Sequence, residues 1–142
     1  MPEFTIHLTD WAHEQARLSQ LRRTVFIDEQ GVPEVLEWDA DDAGATHLLA
    51  LTEAGQAIGC ARLLPDGHIG RMAVLPTWRG RGVGRALLAA AVEAARLHGH
   101  TMLRLSAQTH AADFYAGAGF VAIGAEYEEA GIPHVAMRMP LR

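Results

Sequence analysis

The sequence predicts an α/β fold around a mixed, largely antiparallel central sheet with flanking helices, and three observations lead there. Residues 46 to 75 hold three short hydrophobic runs, THLLALT, QAIGCARLL and HIGRMAVL, separated by turn residues, which is the pattern of an antiparallel meander. A glycine- and arginine-rich loop, a helix-period segment and a further strand-like run, TMLRLSA, come next, in the order of a parallel β-loop-α-β unit. With 142 residues, 49% hydrophobic and 20% charged, the chain has the size and composition of one packed domain spanning 1–142.

Residues 3–8, EFTIHL, alternate weakly and read as a strand, closed by Thr9 and Asp10, either of which can cap the helix that follows. Leu18, Leu21 and Val25 mark one face of that helix, from about 11 to 25, and Gly31 and Pro33 stop it. The stretch GVPEVLEWDADDAGA reads as a long loop that carries Glu34, Glu37, Asp39, Asp41 and Asp42 without a cation. After the meander, a helix is expected over Val83–His98, with Val83, Leu87, Ala90, Ala91, Ala94 and Leu97 towards the core and Gly99 as terminator. The strand at 101–107 precedes a shorter helix at about 110–117, then FVAIG, a charged turn and a last strand, IPHVAMRM.

Composition narrows the function. A net charge of −5 and a pI near 5.9 argue against general nucleic-acid binding, which draws its affinity from a basic face. The N-terminus lacks a signal-peptide pattern and no stretch has the ~18 apolar residues of a membrane span, so a cytoplasmic protein without membrane partners is expected. Cys60 stands alone among apolar neighbours and reads as a buried structural thiol.

The cations concentrate at Arg71, Arg79, Arg81 and Arg85, around the stretch LPTWRGRGVGRALL. Placed between a strand end and a helix N-terminus, this loop suits an anion: free N–H groups and the helix dipole point at it, and Gly80, Gly82 and Gly84 allow close backbone approach. A pyrophosphate is the natural occupant. A Walker loop would need lysine followed by Ser or Thr, and a dinucleotide fingerprint would need glycine where Arg85 stands.

Arg79-x-x-Gly82-x-Gly84, preceded by Met72-Ala73-Val74 and followed by Arg85-Ala86-Leu87-Leu88, resembles the pyrophosphate-binding motif of the GNAT acetyltransferase superfamily. Phe114-Tyr115-Ala116-Gly117-Ala118-Gly119-Phe120 is similar to its "FY…GF" segment. Val25–Pro33 and the tail Gly131-Ile132-Pro133-His134 resemble the ElaA-like branch. The resemblance implies a GNAT-like fold in which strands 68–75 and 102–107 splay to admit the pantetheine arm of acetyl-CoA. Backbone groups of Met72, Ala73 and Val74 would hold the arm, and Arg79, Gly80, Arg81, Gly82, Val83, Gly84 and Arg85 the pyrophosphate. The activity implied is direct transfer of an acetyl group to a primary amine of a small molecule or protein, with a homodimer left open. A CoA-binding sensor without catalysis is the alternative, and its best support is a missing carboxylate on the strand His68-Ile69-Gly70-Arg71-Met72, where some members carry their base.

The resemblance assigns Tyr115 as the acid that protonates the departing thiolate, a task suited to a phenol with pKa near ~10. For the base, Glu29, His68, His110 and His134 are all candidates. No metal is assigned: Asp39-x-Asp41-x-x-Gly44 begins like an EF-hand loop but has Ala43 and Ala50 at two ligand positions, and the histidines lack zinc-site spacing. The acidic loop then reads as a solvated face or as the rim of a pocket for a cationic amine, with Trp38 pinning it to the body of the protein.

Overall fold

A computed structural model describes residues 3–142. The alternating N-terminal segment forms β1 (Phe4–Thr9), and the Asp10 side chain caps α1 (Trp11–Arg22) by accepting from the His13 N–H at 2.9 Å. The helix does not end near 25 as expected. It widens into a π-helical stretch, Arg23–Glu29, which carries Phe26 and Glu29 to the edge of a cleft before Gly31, at φ +73°, turns the chain. Nor is the acidic segment an irregular loop: it folds into a one-turn α2 (Glu34–Glu37) and a 3₁₀ turn, Ala40–Gly44.

The meander is present as β2 (Thr46–Thr52), β3 (Ala57–Leu63) and β4 (His68–Val74). Then follow α3 (Val83–Leu97), β5 (Met102–Gln108), α4 (Ala112–Gly117), β6 (Val121–Glu129) and β7 (Ile132–Pro140). FVAIG was too short an estimate of β6, which continues through its charged residues to the turn at Ala130–Gly131. The seven strands form one sheet in the order β1-β2-β3-β4-β5-β7-β6, antiparallel throughout except for the β4–β5 pair.

Two apolar layers sandwich the sheet. On one face α3 buries Val83, Leu87, Leu88, Ala91, Ala94 and Ala95 against Leu48, Ile58, Leu63 and Leu103. On the other, Leu18, Leu21 and Val25 meet Leu49, Cys60 and Ala73. Leu97, expected to face inwards, is 76% exposed, because the helix ends there and Leu88 and Ala95 lie on the buried arc instead. Burial pushes the Cys60 thiol up to about 12, so it stays protonated and donates to the Arg71 carbonyl, in keeping with a structural role.

Close approach of α3 depends on Gly59. A Cβ there would lie 2.9 Å from Val83 Cγ1, 3.0 Å from Leu87 Cδ1 and 3.1 Å from the Ala73 carbonyl. Gly59→Val should therefore destabilise the fold by about 1–3 kcal/mol through overpacking, read as a lowered midpoint in chemical denaturation; an unchanged midpoint would show that α3 can shift outwards freely.

Candidate active site

β4 and β5 pair only at their beginnings, His68 with Arg104 and Ile69 with Leu105. Beyond that point they part. On the other side of β4 the register slips between Cys60↔Ala73 and Arg62↔Gly70, leaving an extra residue opposite β3, and Arg71 takes a left-handed φ of +47°. This bulge bends β4 away from β5, as bulges beside functional sites commonly do. The Leu75 N–H bonds to Ile58, so antiparallel alternation turns Ala73 towards β3 and leaves Met72 and Val74 to present backbone groups to the gap.

The gap widens into a cleft of about 1160 Å³, which runs from Val74, Arg79 and Gly84 past Met72 and Tyr115 to Gln108 and His134. At its first end lies the N-terminus of α3. The N-cap, Gly82, adopts φ +86° and supplies no side chain, and Ala86, donating to Gly82 at 3.0 Å, is the first amide beyond the cap to find a helical acceptor. Gly80 is also left-handed, whereas Gly84 is inside the helix, where a Cβ would merely touch the Phe114 ring at 3.5 Å. The demand for glycine is thus conformational at Gly80 and Gly82 and weaker at Gly84.

The arginines of this loop are less free than the sequence suggests. Arg79 forms a two-pronged ion pair with Glu29, both contacts 2.6 Å, and its Nε donates to the Val74 carbonyl at 3.1 Å. Arg81 pairs with Glu3 at 2.6 Å and lies 4.0 Å above the Trp78 ring. Arg85, on the first turn of α3, has no ion pair among the described residues. Val83 is buried and anchors the helix start.

Tyr115 projects from α4 into the cleft with its ring between Phe114 and Phe120, at centroid distances of 5.1 and 6.2 Å. Its hydroxyl lies 3.8 Å from Met72 Sδ, beside the free edge of β4, and burial pushes the phenol above its ordinary range. The opposite wall is polar. Gln108 donates to Gln30 at 2.8 Å and accepts from His110 at 2.8 Å, while the Ser106 and Tyr127 hydroxyls are hydrogen-bonded to each other. These groups come from three separate segments, and no local sequence signal connects them.

The acidic segment is not a rim of free carboxylates: Glu34, Asp39 and Asp41 are exposed, but Glu37 and Asp42 are buried and ion-paired. Arg22, fully buried, donates to Glu37 Oε2 at 2.8 Å, to Asp42 Oδ1 at 2.7 Å and to the Glu37 carbonyl at 3.0 Å. Arg62 reaches Asp39 at 2.7 Å and Asp42 at 3.1 Å. From the bulge, Arg71 donates to the Glu37 carbonyl at 2.9 Å and to Asp39 at 3.2 Å, and its Nε lies 3.0 Å from Glu37 Oε2 without hydrogen-bond alignment. Three arginines from α1, β3 and β4 thereby neutralise three carboxylates that the sequence shows with no cation nearby. Trp38 does pin the segment, its ring 5.2 Å from the Arg22 guanidinium, which also lies 5.5 Å from the Trp11 ring.

Among the described residues, no cluster of three or more His, Cys, Asp or Glu side chains is placed to hold a metal ion, and no helix is long and apolar enough to cross a membrane. Comparison with known proteins adds a family. The model of the acetyltransferase (GNAT) domain matches residues 8–141. Protein ElaA of Escherichia coli is 34% identical over 128 residues, covering 84% of this chain and 83% of ElaA, and an uncharacterised Bacillus subtilis protein, YyaT, is 36% identical over 124 residues, covering 83% of each. Among solved structures, an acyl-CoA N-acyltransferase from Pseudomonas aeruginosa superposes with a TM-score of 0.86 at 36% identity, covering 96% of this chain and 99% of the other. The crystal structure of E. coli ElaA gives the same TM-score and coverage at 29% identity.

Proposed function

The chain belongs to the acetyltransferase (GNAT) domain family and is an acyltransferase with a CoA-based donor, and from that premise we propose that it moves an acetyl group from acetyl-CoA directly to a primary amine, without a covalent enzyme intermediate. The observation that carries the reading is the gap between β4 and β5 leading to an open helix N-terminus. Exposed strand edge and uncapped amides form one continuous track, the shape and chemistry of a pantetheine arm ending in a pyrophosphate.

Each residue contributes a distinct part. Met72 and Val74 offer backbone groups to the arm, with Ala73 between them holding β4 to β3. Gly80, Arg81, Gly82, Val83, Gly84 and Arg85 surround the pyrophosphate, and Arg79, still paired with Glu29, borders the same site. An N–H on the free edge of β4 polarises the thioester carbonyl as negative charge grows on its oxygen. Tyr115, beside Met72, supplies the proton for sulfur. The only cysteine is buried and protonated, which leaves no thiol nucleophile for a two-step transfer.

The test is turnover of acetyl-CoA with a panel of primary amines, including phenethylamine, spermidine and lysine amide. Acetylated amine formed stoichiometrically with free CoA supports the reading; CoA binding without turnover of any amine overturns it. As a control on the loop, Gly82→Val forces a branched side chain into a left-handed position and should weaken CoA binding at least tenfold, about 1.4 kcal/mol, in a protein that remains folded. Calorimetry showing wild-type affinity would remove the pyrophosphate from this loop.

A further inference from the structure

We infer that His134 is the base that takes the proton from the attacking amine and that Glu129 positions and stabilises its charged form, an inference that rests on the amine-acetyltransfer reading above. The sequence leaves four candidates for this role, and the structure separates them. Both carboxylate oxygens of Glu29 are engaged by Arg79, whose hydrogen bonds hold its carboxyl below the usual range, so it is a poor proton acceptor. His68, half-exposed, is paired through Nδ1 with Asp66 at 2.9 Å. His110 is exposed and gives its Nε2–H to Gln108.

His134 differs in every respect that matters to a base. It is buried, yet lines the cleft. On β7 it stands opposite Gln108 of β5 and Tyr127 of β6, and its ring stacks on that of Tyr127 at 6.1 Å and 24°. Nδ1 lies 2.6 Å from the Ile132 carbonyl. A carbonyl can only accept, so Nδ1 carries the proton and the lone pair of the neutral ring resides on Nε2. The acceptor that sets that tautomer belongs to the backbone and not to a side chain of the cleft wall.

Nε2 in turn lies 3.6 Å from Glu129 Oε2, a carboxylate suited to balancing an imidazolium once it forms. The neighbouring Tyr127 hydroxyl is bonded to Ser106, the first residue of β5 beyond the last one paired with β4. The histidine therefore shares one wall with groups that reach the point where the strands part. The titratable groups around it are Tyr127 on β6, Glu129 on its own hairpin and, beyond Gln108, His110; from the segment after α1 the neutral Gln30 reaches Gln108.

An alkylammonium gives its proton to Nε2, directly or through one water, and becomes a neutral amine whose lone pair forms the C–N bond to the thioester carbon. The C–S bond breaks with its electron pair on sulfur, which takes the Tyr115 proton. The imidazolium later returns its proton to solvent and the phenolate is reprotonated from solvent, so nothing is oxidised and no further reactant is needed.

The experiment measures single-turnover acetylation, with acetyl-CoA and the best amine of the panel, for wild type, His134→Gln and Glu129→Gln across pH. His134→Gln should lose at least a hundredfold in rate and the acidic limb of the pH profile, with CoA affinity unchanged; Glu129→Gln should keep the limb and lose about tenfold. A working wild type with an equally active His134→Gln variant overturns the base assignment alone, whereas a wild type that turns over no amine overturns the acetyltransfer reading and this inference with it. Independently of turnover, ¹⁵N NMR of histidine-labelled protein, with His134→Gln identifying the resonance, should show a proton on Nδ1. A proton on Nε2 in the neutral ring would overturn the assignment.

Discussion

Replacing Tyr115 by phenylalanine is expected to lower kcat by roughly 10²–10⁴-fold while CoA affinity stays within about twofold of wild type. The substitution removes one oxygen and keeps the ring between Phe114 and Phe120, so α4 and the cleft wall should survive it. Burial holds the phenol above its ordinary value, which keeps it protonated through the neutral range as an acid must be. Activity that depends on that proton is present below the raised pKa and lost as pH climbs through it. The alkaline limb should therefore belong to Tyr115 and move in the variant. Single-turnover kinetics decide the matter: a wild-type rate in Tyr115→Phe, with chemistry rate-limiting, would assign the proton to water and leave Tyr115 a packing residue.

The fold was legible where local pattern and turn chemistry agree. The meander, the crossover helix and the glycines around its start need only neighbours in sequence, and all lie within a residue or two of their expected bounds. The π-helical continuation of α1 was not legible, since Gly31 and Pro33 mark the stop but nothing in Arg23–Glu29 announces a wider turn. The ion pairing of the acidic segment was not legible for a related reason. Its carboxylates find their cations on α1, β3 and β4, and Arg22 and Arg62 sit in sequence among residues that suggest no pairing. Likewise the glycine loop can be read from one stretch, whereas the polar wall of Gln30, Ser106, Gln108, Tyr127 and His134 exists only after β5, β7 and β6 have paired.

Arg22→Met should be the most destabilising single change outside the apolar core, by about 3–5 kcal/mol, because it leaves Glu37 and Asp42 buried without their main partner. At this chain length that corresponds to a melting temperature lower by roughly 10 °C or more. A methionine fills much of the space beside Trp11 and Trp38, so two causes of the loss, charge and packing, have to be separated. Glu37 separates them. Burial already pushes its carboxyl up, against the pull of Arg71 and Arg22, and a carboxyl raised in the fold contributes stability in acid that is lost as pH rises through its folded pKa. Without Arg22 that shift grows, so the deficit of the variant should be larger near pH 7 than near pH 5, and adding Glu37→Gln should recover at least about 1 kcal/mol. Asp42 keeps a hydrogen bond from Arg62 at 3.1 Å, whereas the Arg71 Nε beside Glu37 makes none. A deficit that is the same at both pH values and unrelieved by Glu37→Gln would mean that Arg22 serves chiefly as a flat group beside two tryptophans. In that case the ion network would orient the segment after α1 without contributing much to stability, and Arg71, which ties the same carboxylate and carbonyl to the bulge in β4, would become the residue through which the segment holds the splayed strand in place.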